Sequence, residues 1–456
     1  MKEPKVQNRP KLSVVVFRLI IILVLVNPIL ASLYSLLGHK LVQLIYQGSL
    51  FPFLNNIISG QSRYPLEYYI NLSDIWAVKI QFFINILIIL ISFSFGRFFL
   101  FILISSIILS ELILRIIEPY CPSAFSNVEN LGIKQKPFFG SANSLGFNDK
   151  EYPKKKPAGV IRIVGLGDSF NWAGGYENNY WTKTEMDLQK SLGKNKVEIL
   201  NQGTSQIGPA YLLKLLKQES INFDPDVVIL SIFVGNDFIE SDSAIFRKVR
   251  FGYPLDIYLT KVNDIFDPIR NSYLWFFCSN NMLCLKDTWL KKQEGKSGLK
   301  IGSISRSKFL EIERRRLDVC TELFYESNWW RTTKKRLLEF KDFLSKKNIL
   351  FLVVILPDEY QVEDSLQNEI FVRFQDIKKN QYNFDLPQKM LETYLKSINI
   401  NFLDLLPVFI DKTESGEELY TLSDTHFNNA GNELAAKLVS QFLIARLRLK
   451  NTDANS

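Results

Sequence analysis

The chain of 456 residues is poor in histidine and cysteine, with only His39, His426 and four cysteines. The cysteines form no paired C-x-x-C set, which disfavours a zinc site, and we predict no metal ion and no organic cofactor. The net charge of +8 is modest for this length. No lysine–arginine run carries the spaced aromatics of a nucleic-acid groove, so we predict no nucleic-acid partner.

Long apolar runs are present instead, all within residues 1–118. About 20 apolar residues suffice to cross a bilayer, so the runs predict three transmembrane helices, at 12–37, 80–95 and 98–117. The pair Gly96-Arg97 separates the last two as a hairpin. Two alternatives stay open: one long tilted helix in place of the hairpin, and a cleaved signal peptide in place of the first span.

Basic residues before the first span set the expected orientation. Four basic residues precede residue 12, namely Lys2, Lys5, Arg9 and Lys11. The same stretch holds a single acidic residue, Glu3. The positive-inside rule then places the N-terminus in the cytoplasm. Three spans put the globular part on the extracytoplasmic side, periplasmic or at the cell surface, and a different number of spans would reverse this.

The composition turns polar after residue 118. Residues 119–160 are predicted to be a linker with loops, including an N-S-x-G-F segment at Asn143–Phe147. From 161 to 447, apolar strands alternate with helical stretches, which predicts an α/β domain with a parallel sheet of about five strands. The stretch 238–328 is too long for a loop and is predicted to be an insertion, while 448–456 is a polar tail.

Polar blocks follow three of the predicted strands, and a fourth lies near the C-terminus. The carboxyl ends of parallel strands meet at one edge of a sheet, where ligands bind. Ser169 stands in a G-D-S-F turn as a candidate nucleophile, although Asp168 and Ser169 could equally be ordinary turn and capping residues. The other blocks contain candidate site residues, namely Gly203 in N-Q-G-T, Asn236 in G-N-D, and Asp424 and His426 in S-D-T-H.

Taken in this order, the four blocks resemble those of the SGNH (GDSL-like) hydrolases, over roughly residues 143–447. The resemblance implies a flavodoxin-like doubly wound sheet, with Ser169 as nucleophile and His426 as base. It implies an oxyanion hole made by the backbone N–H groups of Ser169 and Gly203 and the side-chain amide of Asn236.

The acid departs from the common pattern of the family. Many members place the aspartate three residues before the histidine, but that position is Ser423 here, and the carboxylate is Asp424. A two-residue offset occurs in bacterial branches related to polysaccharide acetylation, so Asp424 is the predicted acid. A Ser–His dyad assisted by a backbone carbonyl is the alternative.

The resemblance implies a membrane-anchored extracytoplasmic serine esterase or deacylase. Its expected substrates are acyl esters of envelope glycans, lipids or small molecules. One alternative is an O-acyltransferase that passes the acyl group from Ser169 to a polysaccharide hydroxyl, served by a membrane acyl-donor protein. The other is a non-catalytic binding or assembly protein on the same fold.

The insertion at 238–328 begins directly after the Asn236 block and is rich in aromatics. We expect it to form a wall beside the cleft that selects the substrate, or else to pack its aromatics into a core of its own. Cys278 and Cys284 flank a short predicted loop in it. They are either bridged, as an oxidising compartment allows, or free.

Overall fold

The computed structural model describes residues 98–118, 124–128, 131–205, 207–239, 249–250, 253–254, 272–298, 300 and 302–453. The predicted spans at 12–37 and 80–95 lie outside these residues. Two compact units divide the chain. The first comprises residues 1–122 and 250–286, and the second comprises residues 123–249 and 287–456.

The strands are numbered in chain order. They are β1 (Phe125–Val128), β2 (Gly132–Gln135), β3 (Ile161–Gly167), β4 (Val197–Gly203), β5 (Val227–Phe233), β6 (Val249–Arg250), β7 (Tyr253–Pro254), β8 (Leu350–Leu356) and β9 (Asn401–Asp404). The helices are α1 (Phe98–Ile117), α2 (Ser169–Trp172), α3 (Gly175–Asn178), α4 (Tyr180–Leu192), α5 (Pro209–Gln218), α6 (Tyr273–Lys296), α7 (Arg306–Arg316), α8 (Asn328–Ser345), α9 (Glu359–Val362), α10 (Asp364–Arg373), α11 (Leu386–Ser397), α12 (Leu406–Glu414) and α13 (Asn429–Asp453). Short 3₁₀ turns separate several of them.

Five parallel strands form the central sheet, in the order β4-β3-β5-β8-β9. In chain order this is 2-1-3-4-5, the flavodoxin-like arrangement, so the predicted parallel sheet of five strands is confirmed. All seven residues of β5, in the middle of the sheet, are buried. Helices cover both faces, because each face carries its own apolar core.

One charged residue breaks the apolar pattern of β3. Arg162 is fully buried, and its guanidinium pairs with Glu198 on the neighbouring strand at 2.7 Å. The carbonyl oxygens of Phe223 and Pro153 accept its remaining N–H groups at 2.8 and 3.0 Å. A buried charge is tolerated only when it is paired and hydrogen-bonded in this way. Arg162 therefore links β3, β4 and the neighbouring loops at the amino-terminal edge of the sheet, opposite the edge predicted to carry the site.

The linker predicted at 119–160 contains regular structure that the sequence did not indicate. β1 and β2 pair as an antiparallel hairpin. The segment that follows reaches the central sheet, because Asp149 Oδ2 accepts a hydrogen bond from the N–H of Asn201 at 2.7 Å. These residues are therefore joined to the sheet by a buried hydrogen bond.

In the first unit, α1 covers the residues predicted as the third span. Within the described residues, however, no helix combines the length and hydrophobicity needed to cross a bilayer. The structure therefore supports a helix at 98–117, and the prediction that this helix spans a membrane is not supported. Glu111 on α1 accepts hydrogen bonds from Ser272 Oγ at 2.7 Å and from the N–H of Leu274 at 2.9 Å, which caps the start of α6.

The loop predicted between Cys278 and Cys284 is wrong, since both residues lie within α6. Six helical residues separate their Cα atoms by about 10 Å, whereas a disulfide needs less than about 7 Å. Cys278 and Cys320 carry free thiols. The helix therefore excludes the bridge between Cys278 and Cys284.

We expect alkylation of the native protein without reductant to modify Cys278, which is exposed, and to spare Cys320. Burial raises the pKa of the Cys320 thiol to about 12, so only about one in 10,000 molecules holds the reactive thiolate at pH 8. Peptide mass spectrometry before and after unfolding measures this difference. A peptide pair linked through Cys278 and Cys284 in an unreduced digest would contradict the helix.

Candidate active site

The nucleophile candidate opens a very short helix directly after the central strand β3. Asp168 caps that helix, because its Oδ1 accepts a hydrogen bond from the N–H of Phe170 at 3.0 Å. Ser169 is the first helical residue and is half-buried. Its N–H belongs to the first turn, whose donors have no acceptor within the helix, so it is available to an incoming oxygen.

Buried amides fix the end of this helix. Asn179 Nδ2 and Asn201 Nδ2 both donate to the carbonyl oxygen of Asn171, at 2.6 and 2.8 Å. Asn148 Nδ2 donates to the carbonyl oxygen of Trp172 at 2.8 Å. The segment around the N-S-x-G-F motif therefore contributes to holding the nucleophile's helix, a role that its sequence did not reveal.

Gly203 ends β4 beside this helix, opposite Gly167 in the sheet register. A Cβ atom at Gly203 would lie 2.3 Å from the Cβ of Asn171 and 2.8 Å from the N of Trp172. Glycine is thus required by the close approach of the nucleophile's helix. The N–H of Gly203 donates to Asn201 Oδ1 at 3.2 Å, so it serves a substrate oxygen only by sharing or breaking that bond.

Asn236 follows β5, on the far side of β3 from Gly203. Its Oδ1 is buried and has no hydrogen-bond partner among the described residues. A buried polar atom without a partner costs free energy, and such atoms are uncommon away from functional sites. Asn236 therefore lies at the sheet edge that is predicted to carry the site. Its side-chain oxygen has no hydrogen-bond partner among the described residues.

Asp424 and His426 occupy a tight turn before α13. The turn is closed by hydrogen bonds from the N–H of Thr421 to the carbonyl oxygen of His426, at 2.9 Å, and from the N–H of Asp424 to that of Thr421, at 3.0 Å. Ser423 lies in the left-handed region with φ of 48°. That conformation is uncommon for a residue other than glycine and bends the chain sharply before Asp424.

The two side chains are in direct contact. His426 Nδ1 lies 2.6 Å from Asp424 Oδ1, and the same oxygen accepts from the N–H of His426 at 3.1 Å. His426 Nε2 is buried and has no partner among the described residues. A histidine whose Nδ1 is held by a carboxylate presents Nε2 to accept a proton, which is the arrangement of a general base.

Aromatic packing brings together the segments that carry nucleophile and base, although no hydrogen bond joins Ser169 Oγ to His426 Nε2 in this structure. The ring of Phe170, the residue after Ser169, lies 5.2 Å from the His426 ring and 4.4 Å from Phe233 at the end of β5, measured between centroids. The structure therefore gathers Ser169, Gly203, Asn236 and His426 at the carboxyl edge of the sheet. Their catalytic roles stay predictions.

Electrostatics favour an ionised Asp424. Burial raises the pKa of its carboxyl, but hydrogen bonds from His426 and Ser303 and the charge of His426 lower it more, so the net pKa lies below its ordinary value. Asp424 is therefore charged throughout the neutral range and can stabilise an imidazolium.

Two residues that contact this site were not predicted from the sequence. Ser303, in the insertion, donates its N–H to the carbonyl oxygen of Leu422 in this turn, at 3.3 Å. Arg316, also in the insertion, donates from Nη1 to Thr425 Oγ1 at 2.9 Å. Both lie more than 100 residues before the turn they contact, and no local motif marks them.

The insertion thus does more than line a cleft. The N–H groups of Ser303 and Ile304 donate to the carbonyl oxygens of Leu422 and Ser423, each at 3.3 Å. Phe309 and Phe324 are buried in the core cluster that covers one face of the central sheet, rather than in a core of the insertion's own, while Trp289 is exposed. The expectation of a wall that only selects substrate is therefore incomplete, because part of the insertion is hydrogen-bonded to the turn that carries Asp424 and His426.

No set of three or more histidine, cysteine or carboxylate side chains is arranged to hold a metal ion in the part of the chain that the structure describes. The chemistry available is that of a hydroxyl, an imidazole, a carboxylate and amide donors. This is the equipment of acyl transfer through a serine.

A family model described as "SGNH hydrolase-like domain, acetyltransferase AlgX" matches residues 325–455. The match covers β8, β9 and the turn with Asp424 and His426. No curated protein matches the chain.

Solved structures resembling this one include three esterases or lipases. An acetyl xylan esterase is 15% identical, with 61% of this chain and 98% of that chain covered and a TM-score of 0.33. A GDSL-like lipase from Bacteroides thetaiotaomicron is 12% identical, with 64% and 93% covered and a TM-score of 0.29. A two-domain esterase active on acetylated mannans is 14% identical, with 63% and 50% covered and a TM-score of 0.32. Likeness at this level carries no information about what this chain acts on.

Replacing Asp424 with asparagine should lower kcat for a small activated ester by roughly 10³- to 10⁴-fold. The neutral amide neither fixes the histidine tautomer nor stabilises the imidazolium. Steady-state kinetics near pH 7, where the parent Asp424 is ionised, measure the loss. As a matched control, Asp411→Asn changes a carboxylate on α12 and should leave kcat unchanged. A loss below tenfold for Asp424→Asn would favour the Ser–His dyad.

Proposed function

We propose that the chain is a serine enzyme of acyl esters of the SGNH hydrolase type, with Ser169 as nucleophile, His426 as base and Asp424 as acid; the family model that matches residues 325–455 supports this. The observation that carries the proposal is the contact of 2.6 Å between His426 Nδ1 and Asp424 Oδ1, with Nε2 of the same ring left unpaired. A purely structural histidine would be expected to have both ring nitrogens satisfied.

In the proposed first step, Ser169 Oγ bonds to the ester carbonyl carbon while His426 Nε2 takes the hydroxyl proton. The carbonyl electron pair moves onto oxygen, where the Ser169 N–H and the Asn236 amide stabilise the negative charge. Collapse of this intermediate breaks the ester C–O bond. His426 returns the proton to the departing alcohol, and the acyl group stays on Ser169.

The second step decides between hydrolysis and transfer. When water attacks the acyl-serine, the enzyme is an esterase or deacylase, and this is the activity we propose first. When a sugar hydroxyl attacks, the enzyme is an O-acyltransferase. The matched domain model, described as an acetyltransferase, favours this second candidate and suggests acetyl as the acyl group.

We propose acyl esters of envelope glycans, lipids or small molecules as substrates, and an extracytoplasmic, membrane-anchored setting. The support is the run of apolar residues before position 118 and the basic residues ahead of it. A membrane acyl-donor protein is the partner that a transferase would need. A non-catalytic binding protein is disfavoured, because such a protein would not need the Asp–His pair.

Product analysis with an acetylated glycan tests the function. The parent protein should release acetate, and Ser169→Ala should reduce the rate by at least about 10³-fold. Adding an unacetylated oligosaccharide leaves acetate release unchanged for an esterase, but diverts acetyl groups to the acceptor for a transferase. Equal products from the parent and Ser169→Ala would overturn the proposal.

Reporter fusions after Lys156 test the compartment. With three spans and a cytoplasmic N-terminus, a periplasmic reporter should be active and a cytoplasmic reporter silent. A fusion placed before the first span is the control and should give the opposite result. Activity of the cytoplasmic reporter alone after Lys156 would refute the proposed orientation.

A further inference from the structure

A buried cluster of charged residues joins the insertion to the end of β8, next to the turn that carries Asp424 and His426. Glu313 and Arg316 come from α7, and Asp358 follows β8. Arg316 Nη1 lies 2.7 Å from Glu313 Oε1 and 3.7 Å from Asp358 Oδ2. Both carboxyl side chains are fully buried, so a single guanidinium stands between two acids.

Burial shifts the pKa of both acids in the same direction. Burial raises the pKa of Glu313 well above its ordinary value, and the neighbouring Asp358 raises it further, while burial also raises the pKa of Asp358. Burial lowers the pKa of the Arg316 guanidinium, but the charges of Glu313 and Asp358 raise it more, so the arginine keeps its charge beside them.

The cluster is close both to the end of β5, which precedes Asn236, and to the turn that carries Asp424 and His426. A Cβ atom at Gly235, the residue before Asn236, would lie 2.2 Å from Asp358 Oδ2. The Arg316 guanidinium lies 5.1 Å from the centroid of the Phe233 ring, on which Phe170 packs. The same guanidinium reaches the catalytic turn by its hydrogen bond to Thr425 Oγ1 at 2.9 Å.

We propose that Arg316 is a positioning residue, which holds the Asp424–His426 turn through the Thr425 hydroxyl and so aligns His426 with Ser169. Thr425 stands between the two triad residues, so fixing its side chain limits how far both can move. Misplacement of a catalytic group by about 1 Å can lower a rate about 100-fold. The inference rests on the proposed function, because it requires His426 to act as the base for Ser169.

The insertion gains a second role from this assignment. It supplies the arginine and, through the N–H groups of Ser303 and Ile304, two hydrogen bonds to the backbone of the turn that carries Asp424. Because α7 carries Glu313 and Arg316 three residues apart, both lie on one face of one helix turn. The insertion therefore stabilises the geometry of the chemical step.

The test replaces Thr425 with valine, which keeps the shape and removes the acceptor. We expect kcat for a small activated ester to fall roughly 10- to 100-fold with KM unchanged. Thr425→Ser keeps the hydroxyl and should restore most of the parental kcat. If Thr425→Val lowers the folded fraction, Arg316→Lys keeps the buried charge but not the forked donors, and the same loss of kcat is expected. Arg314→Met, on the same helix and paired with Asp376, is the control and should be silent.

A fluorophosphonate probe separates this inference from the proposed function. Labelling of Ser169 in the parent and none in Ser169→Ala supports the function whatever Thr425 does. Slower labelling of Thr425→Val, restored in Thr425→Ser, supports the role of Arg316. Parental kcat and labelling in Thr425→Val, a change in KM alone, or equal losses in the valine and serine variants would overturn it. No labelling of the parent would overturn both.

Discussion

The contact between His426 Nδ1 and Asp424 Oδ1, 2.6 Å long, is the interaction on which the rest of the site depends. A two-residue offset would keep these side chains apart in an extended strand, where positions i and i+2 point the same way but about 7 Å apart. The turn brings them together because Ser423 takes a left-handed conformation and Asp424 Oδ1 also accepts the N–H of His426. The conformation is uncommon, so it needs support from outside the turn. The insertion provides that support through Ser303 and Arg316.

The nucleophile is held by a different principle, which is close packing of backbone against backbone. The helix beginning at Ser169 lies so near β4 that a Cβ atom at Gly203 would overlap Asn171. Buried amides then satisfy the carbonyl oxygens at the end of this helix, which would otherwise be unpaired. Base and nucleophile therefore rest on separate supports, hydrogen bonds to the insertion for one and tight glycine packing for the other. Phe170 joins the two parts through its contact with the His426 ring.

The five strands of the sheet could be predicted within a few residues, because each is an apolar run and burial on both faces demands such runs. The helices α9, α10, α11 and α12 were not predicted, because α9 has only four residues and the others have 9 to 12, so each shows the helical period over few turns. The loop between Cys278 and Cys284 was predicted wrongly because two cysteines suggested a bridge, while the segment continues as a helix of 24 residues. The hairpin of β1 and β2 escaped notice in a polar stretch whose strands are only four residues long.

The sequence by itself determined the fold class and the candidate residues Ser169, Gly203, Asn236, Asp424 and His426, because strand ends and polar blocks are local patterns. The reason for glycine at position 203 was decided only by the tertiary structure, which places the nucleophile's helix where a side chain would stand. Arg316, Ser303 and Asp358 likewise became part of the site only through contacts across 40 to 120 residues of chain. Burial raises the pKa of Asp358, and burial is a property of the folded chain alone.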